Sequence, residues 1–82
     1  MNKEEVAAKI KDMLVESLRI PEELLSNDAE LFGGEIGLDS VDSLEIISGI
    51  DDMFGVNMTG VDKENFRDIN SLTNYVMEHA EA

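Results

Sequence analysis

The chain has 82 residues, 19 acidic and 6 basic, for a net charge of −13, and it contains no cysteine. A fold of this size withdraws about 63% of its surface from water, which leaves one thin core and little room for an internal catalytic cavity. The missing cysteines exclude disulfides, thiolate nucleophiles and cysteine metal sites. The charge excludes nucleic acid as a partner and disfavours anionic membrane surfaces, because phosphates would be repelled.

With 43% apolar residues the chain is too hydrophobic for disorder, so a single domain over residues 1–82 is expected. Its partners should present basic surfaces. The start, Met1-Asn2-Lys3-Glu4-Glu5, is charged and enters a helical pattern directly, so no signal peptide is expected. No apolar run approaches the roughly 20 residues that span a bilayer. A monomer in the cytoplasm, not inserted in a membrane, is the expectation.

Asn2 can cap a first helix with Glu5 three residues on, in the manner of a capping box. Val6, Ile10, Met13, Leu14 and Leu18 recur at helical spacing, which predicts a helix over 3–18. Pro21 forbids its continuation. From Arg19 to Asp39 periodicity is lost, and Pro21, Asn27, Gly33, Gly34 and Gly37 punctuate a long loop. Long loops in small domains are commonly functional. Leu24, Leu25, Leu31, Phe32, Ile36 and Leu38 are expected to pin it to the core.

A second helix is predicted from Ser40 to Phe54, capped by Asp39 and stopped by Gly55. At about 100° per residue, Leu44, Ile46, Ile47, Ile50, Met53 and Phe54 share a core-facing arc. Asp42, Glu45, Ser48, Gly49 and Asp52 fall opposite, with Val41 among them. Gly49 is unfavourable in mid-helix by roughly 1 kcal/mol against alanine, and close approach of a neighbouring loop would explain it. Asp62–Phe66 can form one turn. A last helix over Ser71–Glu78 would turn Leu72, Tyr75, Val76 and His79 inward. Met13, Met53, Met58 and Met77 are expected to pack in the core, filling irregular gaps. No segment alternates with period two, so no strand is predicted. The expected fold is all-α: a small four-helix bundle of three principal helices and one short helix, with a long loop between the first two.

Catalytic chemistry is poorly provided for. The lone histidine, His79, lies near the end of the chain, and paired-carboxylate catalysis needs one acid against a buried apolar wall. The calcium-loop pattern is absent, since Asp51-Asp52 leads into Met53 and Phe54 rather than oxygen ligands. Neither an enzyme nor a dedicated metal site is predicted.

The informative stretch is Gly37-Leu38-Asp39-Ser40-Val41-Asp42-Ser43-Leu44-Glu45-Ile46-Ile47. It opens the second helix directly after the glycine-bearing loop, and here the chain resembles the acyl carrier proteins. That family carries a phosphopantetheine arm on a serine in an Asp-Ser-aliphatic motif ahead of an acidic amphipathic helix. Ile50-Asp51-Asp52-Met53-Phe54-Gly55-Val56 resembles the end of that helix, and Ile69-Asn70-Ser71-Leu72 with Tyr75-Val76 the start of the family's last one. The resemblance covers nearly the whole chain. It departs from the common fatty-acid type in a longer loop at Leu31–Gly37 and in Met58-Thr59-Gly60, where a proline-containing segment often stands. These departures hint at a specialised carrier.

The resemblance implies a covalent 4′-phosphopantetheine, derived from coenzyme A, on Ser40, with acyl groups held as thioesters on its thiol. A serine at a helix start is exposed beside free backbone N–H groups, which suit a phosphodiester, and Asp39 can cap the helix and direct the serine. Nothing in the chain activates Ser40, so a phosphopantetheinyl transferase must load it. Asp42-Ser43-Leu44 offers a competing Asp-Ser-Leu, but Ser43 falls inside the core-facing arc of the predicted helix; Ser40 is therefore assigned. Between Arg19 and Lys63 there is no basic residue. The resemblance makes Asp42, Glu45 and Asp52 recognition residues for basic docking patches on synthase enzymes of fatty-acid, polyketide or related lipid metabolism, with Asp39 and Asp51 behind them. Val41 would be an apolar knob among these acids. The competing readings are an aminoacyl, peptidyl or D-alanyl carrier, and an unmodified acidic interaction module.

Overall fold

A computed structural model describes residues 2–80 of the chain. Three α-helices form the frame: α1 at Lys3–Leu18, α2 at Ser40–Phe54 and α3 at Ile69–His79. Short 3-10 turns lie at Glu22–Leu24 and Lys63–Phe66, and no strand occurs among the described residues. The all-helical expectation holds, with a single turn in place of the short fourth helix. The Glu22–Leu24 turn was not expected.

Each helix starts where its local chemistry satisfies orphan amides. At α1 the Asn2 side chain accepts from the Glu5 amide at 2.8 Å and donates to the Glu5 carboxylate at 3.3 Å. The helix ends on Arg19, which adopts a left-handed conformation (φ 56°); that conformation disfavours L-residues, and Ile20 behind it is buried. At α3 the cap is Asp68, whose carboxylate accepts from the Ser71 amide at 2.7 Å. Asp68 was not singled out from the sequence, and α3 accordingly begins at Ile69 rather than Ser71.

The core joins one stripe from each helix to residues of the connections. Val6, Ile10 and Leu14 of α1 meet Ile46 and Ile50 of α2 and Ile69, Leu72 and Val76 of α3. Leu25 and Leu31 from the long loop complete it, together with Met58 and Phe66. Leu24, Ile36 and Leu38 pack against this cluster, but Phe32 is exposed, so it does not pin the loop as expected. Two backbone bonds do so instead: Leu31 N–H donates to the Arg67 carbonyl at 2.8 Å, and Asn70 N–H to the Asn27 carbonyl at 3.0 Å. Only pairing in the tertiary fold shows such bonds, because any residue type supplies them.

Gly49 is explained by α1 rather than by a loop. A Cβ there would come within 2.9 Å of the Met13 side chain, so the missing methyl lets Met13 lie against α2. Met13 and Met58 are buried as expected, whereas Met53 and Met77 are exposed. His79, expected on the inner face of α3, is also exposed. It stacks on half-buried Tyr75 with ring centroids 3.9 Å apart, and its Nδ1 lies 2.9 Å from the Tyr75 carbonyl oxygen.

Ile69 and Thr73 take inner positions on α3 that had not been foreseen. Thr73 is fully buried, and its Oγ1 has no hydrogen-bond partner among the described residues. An orphaned buried hydroxyl is unfavourable by about 1–3 kcal/mol. Thr73→Val, which keeps the shape and removes the hydroxyl, should therefore raise the thermal midpoint by about 4 °C or more. Calorimetry checks this, and a lower midpoint would mean that the hydroxyl is satisfied in solution.

The charges are mostly uncompensated. Among the described residues the only ion pair is Arg67–Asp68, at 3.5 Å. Self-repulsion at a net charge of −13 should therefore limit stability. Sodium chloride shortens the screening length from about 30 Å at 0.01 M to about 3 Å at 1 M, so the melting temperature should climb steadily over that range. A flat response would remove repulsion from the list of limiting terms.

Candidate functional site

The start of α2 is set by a reciprocal cap. Asp39 Oδ1 accepts from the amides of Val41 at 3.0 Å and Asp42 at 3.1 Å. The Asp42 carboxylate in turn accepts from the Asp39 amide at 3.0 Å, completing a capping box. Three of the four amides that a helix start leaves open are thus taken by the chain's own carboxylates. The expectation of several free N–H groups beside Ser40 is corrected on this point: only the Ser40 amide lacks a partner among the described residues. The neighbouring carboxylates hold the helix in register and leave the Ser40 side chain in solvent.

Ser43 differs. It is half-buried, and its hydroxyl donates to the Ser40 carbonyl at 2.6 Å. One turn into the helix, its oxygen is already engaged with backbone. Nothing among the described residues engages the Ser40 hydroxyl.

Both serines line a groove of about 960 Å³. Its apolar wall is built from Phe32 and Leu38 of the long loop, Ile47 of α2, and Met58, Val61 and Phe66 from the connection to α3. Gly37 (φ 59°) supplies a left-handed turn and its amide donates to the Gly33 carbonyl at 3.2 Å. That turn reverses the loop so that Leu38 and Asp39 arrive at the groove's edge. Ser40 therefore lines a cleft with an apolar wall, to which Glu30, Asp39, Asp62, Lys63, Glu64 and Arg67 add charged side chains.

The outward face of α2 is larger than the sequence pattern implied. Val41 is 67% exposed, as expected, but Leu44, assigned to the core arc, is 63% exposed. Residues 41, 44, 45, 48, 51 and 52 recur at three- and four-residue spacing and are all exposed. They make a strip of Val41 and Leu44 edged by Glu45, Asp51 and Asp52. Asp42 does not belong to this strip: it is half-buried and committed to the cap. The sequence held a hint of this, since Leu44 is three residues from Val41, but a core-facing arc that runs from Leu44 to Met53 is wider than the face α2 buries.

His79 lines neither this groove nor the smaller one that Gly49 and Met13 form between α1 and α2. Among the described residues no three histidine, aspartate or glutamate side chains converge as metal ligands, and no helix is long and apolar enough to cross a membrane.

The comparisons agree on the stretch around this site. The family model for phosphopantetheine attachment sites matches residues 8–76. The chain is also similar to the acyl carrier protein of Chloroherpeton thalassium, 27% identical over 78 residues that cover 95% of this chain and 96% of that one.

Proposed function

Because the chain belongs to the phosphopantetheine attachment-site family, whose members carry that group covalently, we propose that it is an acyl carrier with Ser40 as its attachment point. The observation that carries this reading is the position of Ser40: a solvent-exposed, unengaged hydroxyl on the first residue of a capped helix, lining a groove with an apolar wall. When bound, the group supplies the thiol that the chain lacks, and acyl cargo is held on it as a thioester.

The chain's own residues prepare the site. Asp39 and Asp42 fix the helix start by the capping box, which holds the Ser40 hydroxyl outward for an incoming transferase. Ser43 keeps its hydroxyl on the Ser40 carbonyl and so does not compete as acceptor. The apolar wall of Phe32, Leu38, Ile47, Met58, Val61 and Phe66 gives an acyl chain apolar surface to lie against. The strip of Val41, Leu44, Glu45, Asp51 and Asp52 docks basic patches on the transferase and on fatty-acid or related synthase enzymes, its charge setting encounter rate and partner choice. No residue of the chain acts as catalyst. Residues 1–82 work as one carrier unit, monomeric and cytoplasmic.

The test is the intact mass of the wild-type chain after incubation with a phosphopantetheinyl transferase and coenzyme A. A gain of one phosphopantetheine is expected. An unchanged mass under conditions that load a known carrier would overturn the reading and leave an unmodified acidic interaction module in its place.

A further inference from the structure

A phosphodiester on Ser40 would meet a helix start that is already occupied. Three amides of the first turn bond to Asp39 and Asp42, and these two carboxylates place negative charge where a dipole would otherwise welcome an anion. The new group adds a further negative charge to a chain at −13. Its counter-charge must come from elsewhere. No basic residue lies between Arg19 and Lys63, yet the groove that Ser40 lines is lined also by Lys63 and Arg67. Arg67 is committed to its ion pair with buried Asp68. Lys63 has no carboxylate within ion-pair distance among the described residues, although Glu30, Asp39, Asp62 and Glu64 line the same groove.

We infer that Lys63 is the electrostatic partner of the phosphodiester on Ser40. This rests on Ser40 being the attachment point. Lys63 is then a positioning residue: it draws the phosphodiester toward the apolar wall and relieves its repulsion from Asp39 and Asp42. The lysine stem covers apolar surface while its ammonium stays wet, so the contact is screened by salt and breaks readily when a synthase enzyme takes the cargo.

The test is a thermodynamic cycle on stability rather than on activity. Melting temperatures are measured for unmodified and phosphopantetheine-bearing forms of the wild type, Lys63→Gln, Lys63→Arg and Lys9→Gln at low salt. Lys9→Gln removes an equal charge from α1, where Lys9 lines the other groove. Modification should destabilise Lys63→Gln by about 2–5 °C more than it does the wild type. Lys63→Arg should match the wild type, and the difference should fade as salt is raised. The phosphorus resonance of the modified protein should also move in Lys63→Gln and stay in place in Lys9→Gln. Equal effects in Lys63→Gln and Lys9→Gln, or none in either, would overturn the inference while leaving the attachment site standing. A chain that the transferase leaves unmodified would overturn both, and the mass spectrum tells these failures apart before any melting curve is read.

Discussion

Ser40→Ala is expected to abolish phosphopantetheine loading completely, whereas Ser43→Ala should load to the full extent. The two serines lie three residues apart on one helix and line one groove, so proximity does not separate them. Their oxygens do: Ser43 donates to the Ser40 carbonyl at 2.6 Å and is half-buried, while Ser40 is exposed. A transferase needs an accessible hydroxyl and a carrier helix that stays folded around it. Removing the Ser43 hydroxyl deletes one bond inside the first turns, and its measurable trace should be a small loss of stability of about 1 kcal/mol or less. Intact mass after exhaustive incubation reads the outcome directly. Modification of Ser40→Ala, or its loss in a folded Ser43→Ala, would move the attachment point to Ser43.

Reversing the charge of the α2 strip should slow loading at low salt by about 10- to 100-fold, within the roughly 10- to 1,000-fold effect of electrostatic steering on association. The variant is Glu45→Lys, Asp51→Lys and Asp52→Lys together. Asp42 is left in place because its carboxylate closes the capping box, and replacing it would confound docking with helix fraying. The three chosen carboxylates are exposed, so the fold should persist and, with less self-repulsion, melt no lower than the wild type. The deficit should reside in the second-order rate and contract as salt screens the field. Leu44→Asp should impair loading as well, with a weaker salt dependence, because a desolvated apolar contact is lost rather than a long-range attraction. Loading rates against ionic strength, with circular dichroism on each variant, decide the matter. A folded triple-lysine protein that loads at the wild-type rate in dilute buffer would show this strip to be merely solvated.

The elements whose causes are local could be read directly from the chain. Helix α1, its Asn2 cap, the Asp39 cap and the Gly55 stop of α2 depend on contacts three or four residues long, and the structure places them at the expected positions. The exposed serine of the Asp-Ser-Val motif follows from the same short-range chemistry. The charge of −13 belongs to composition alone. What needed the tertiary structure was every question about which neighbour lies against a given face. Leu44 and Met53 have the hydrophobicity and nearly the spacing of core residues, yet α2 is fully buried only at Ile46 and Ile50, with Ile47 and Phe54 packed beside them, so both face solvent. Gly49 reads as a helix defect until Met13 of α1 is seen filling the space. Asp42 reads as a surface acid until its carboxylate is found on the Asp39 amide. The long loop's anchorage to Arg67 and Asn70 runs through backbone groups, which carry no side-chain signature. Lys63, 23 residues on from Ser40 in the chain, lines the same groove only through the tertiary fold. Helical periodicity states which residues share a face, whereas burial depends on how many partners that face meets, and the packing of the helices decides that number.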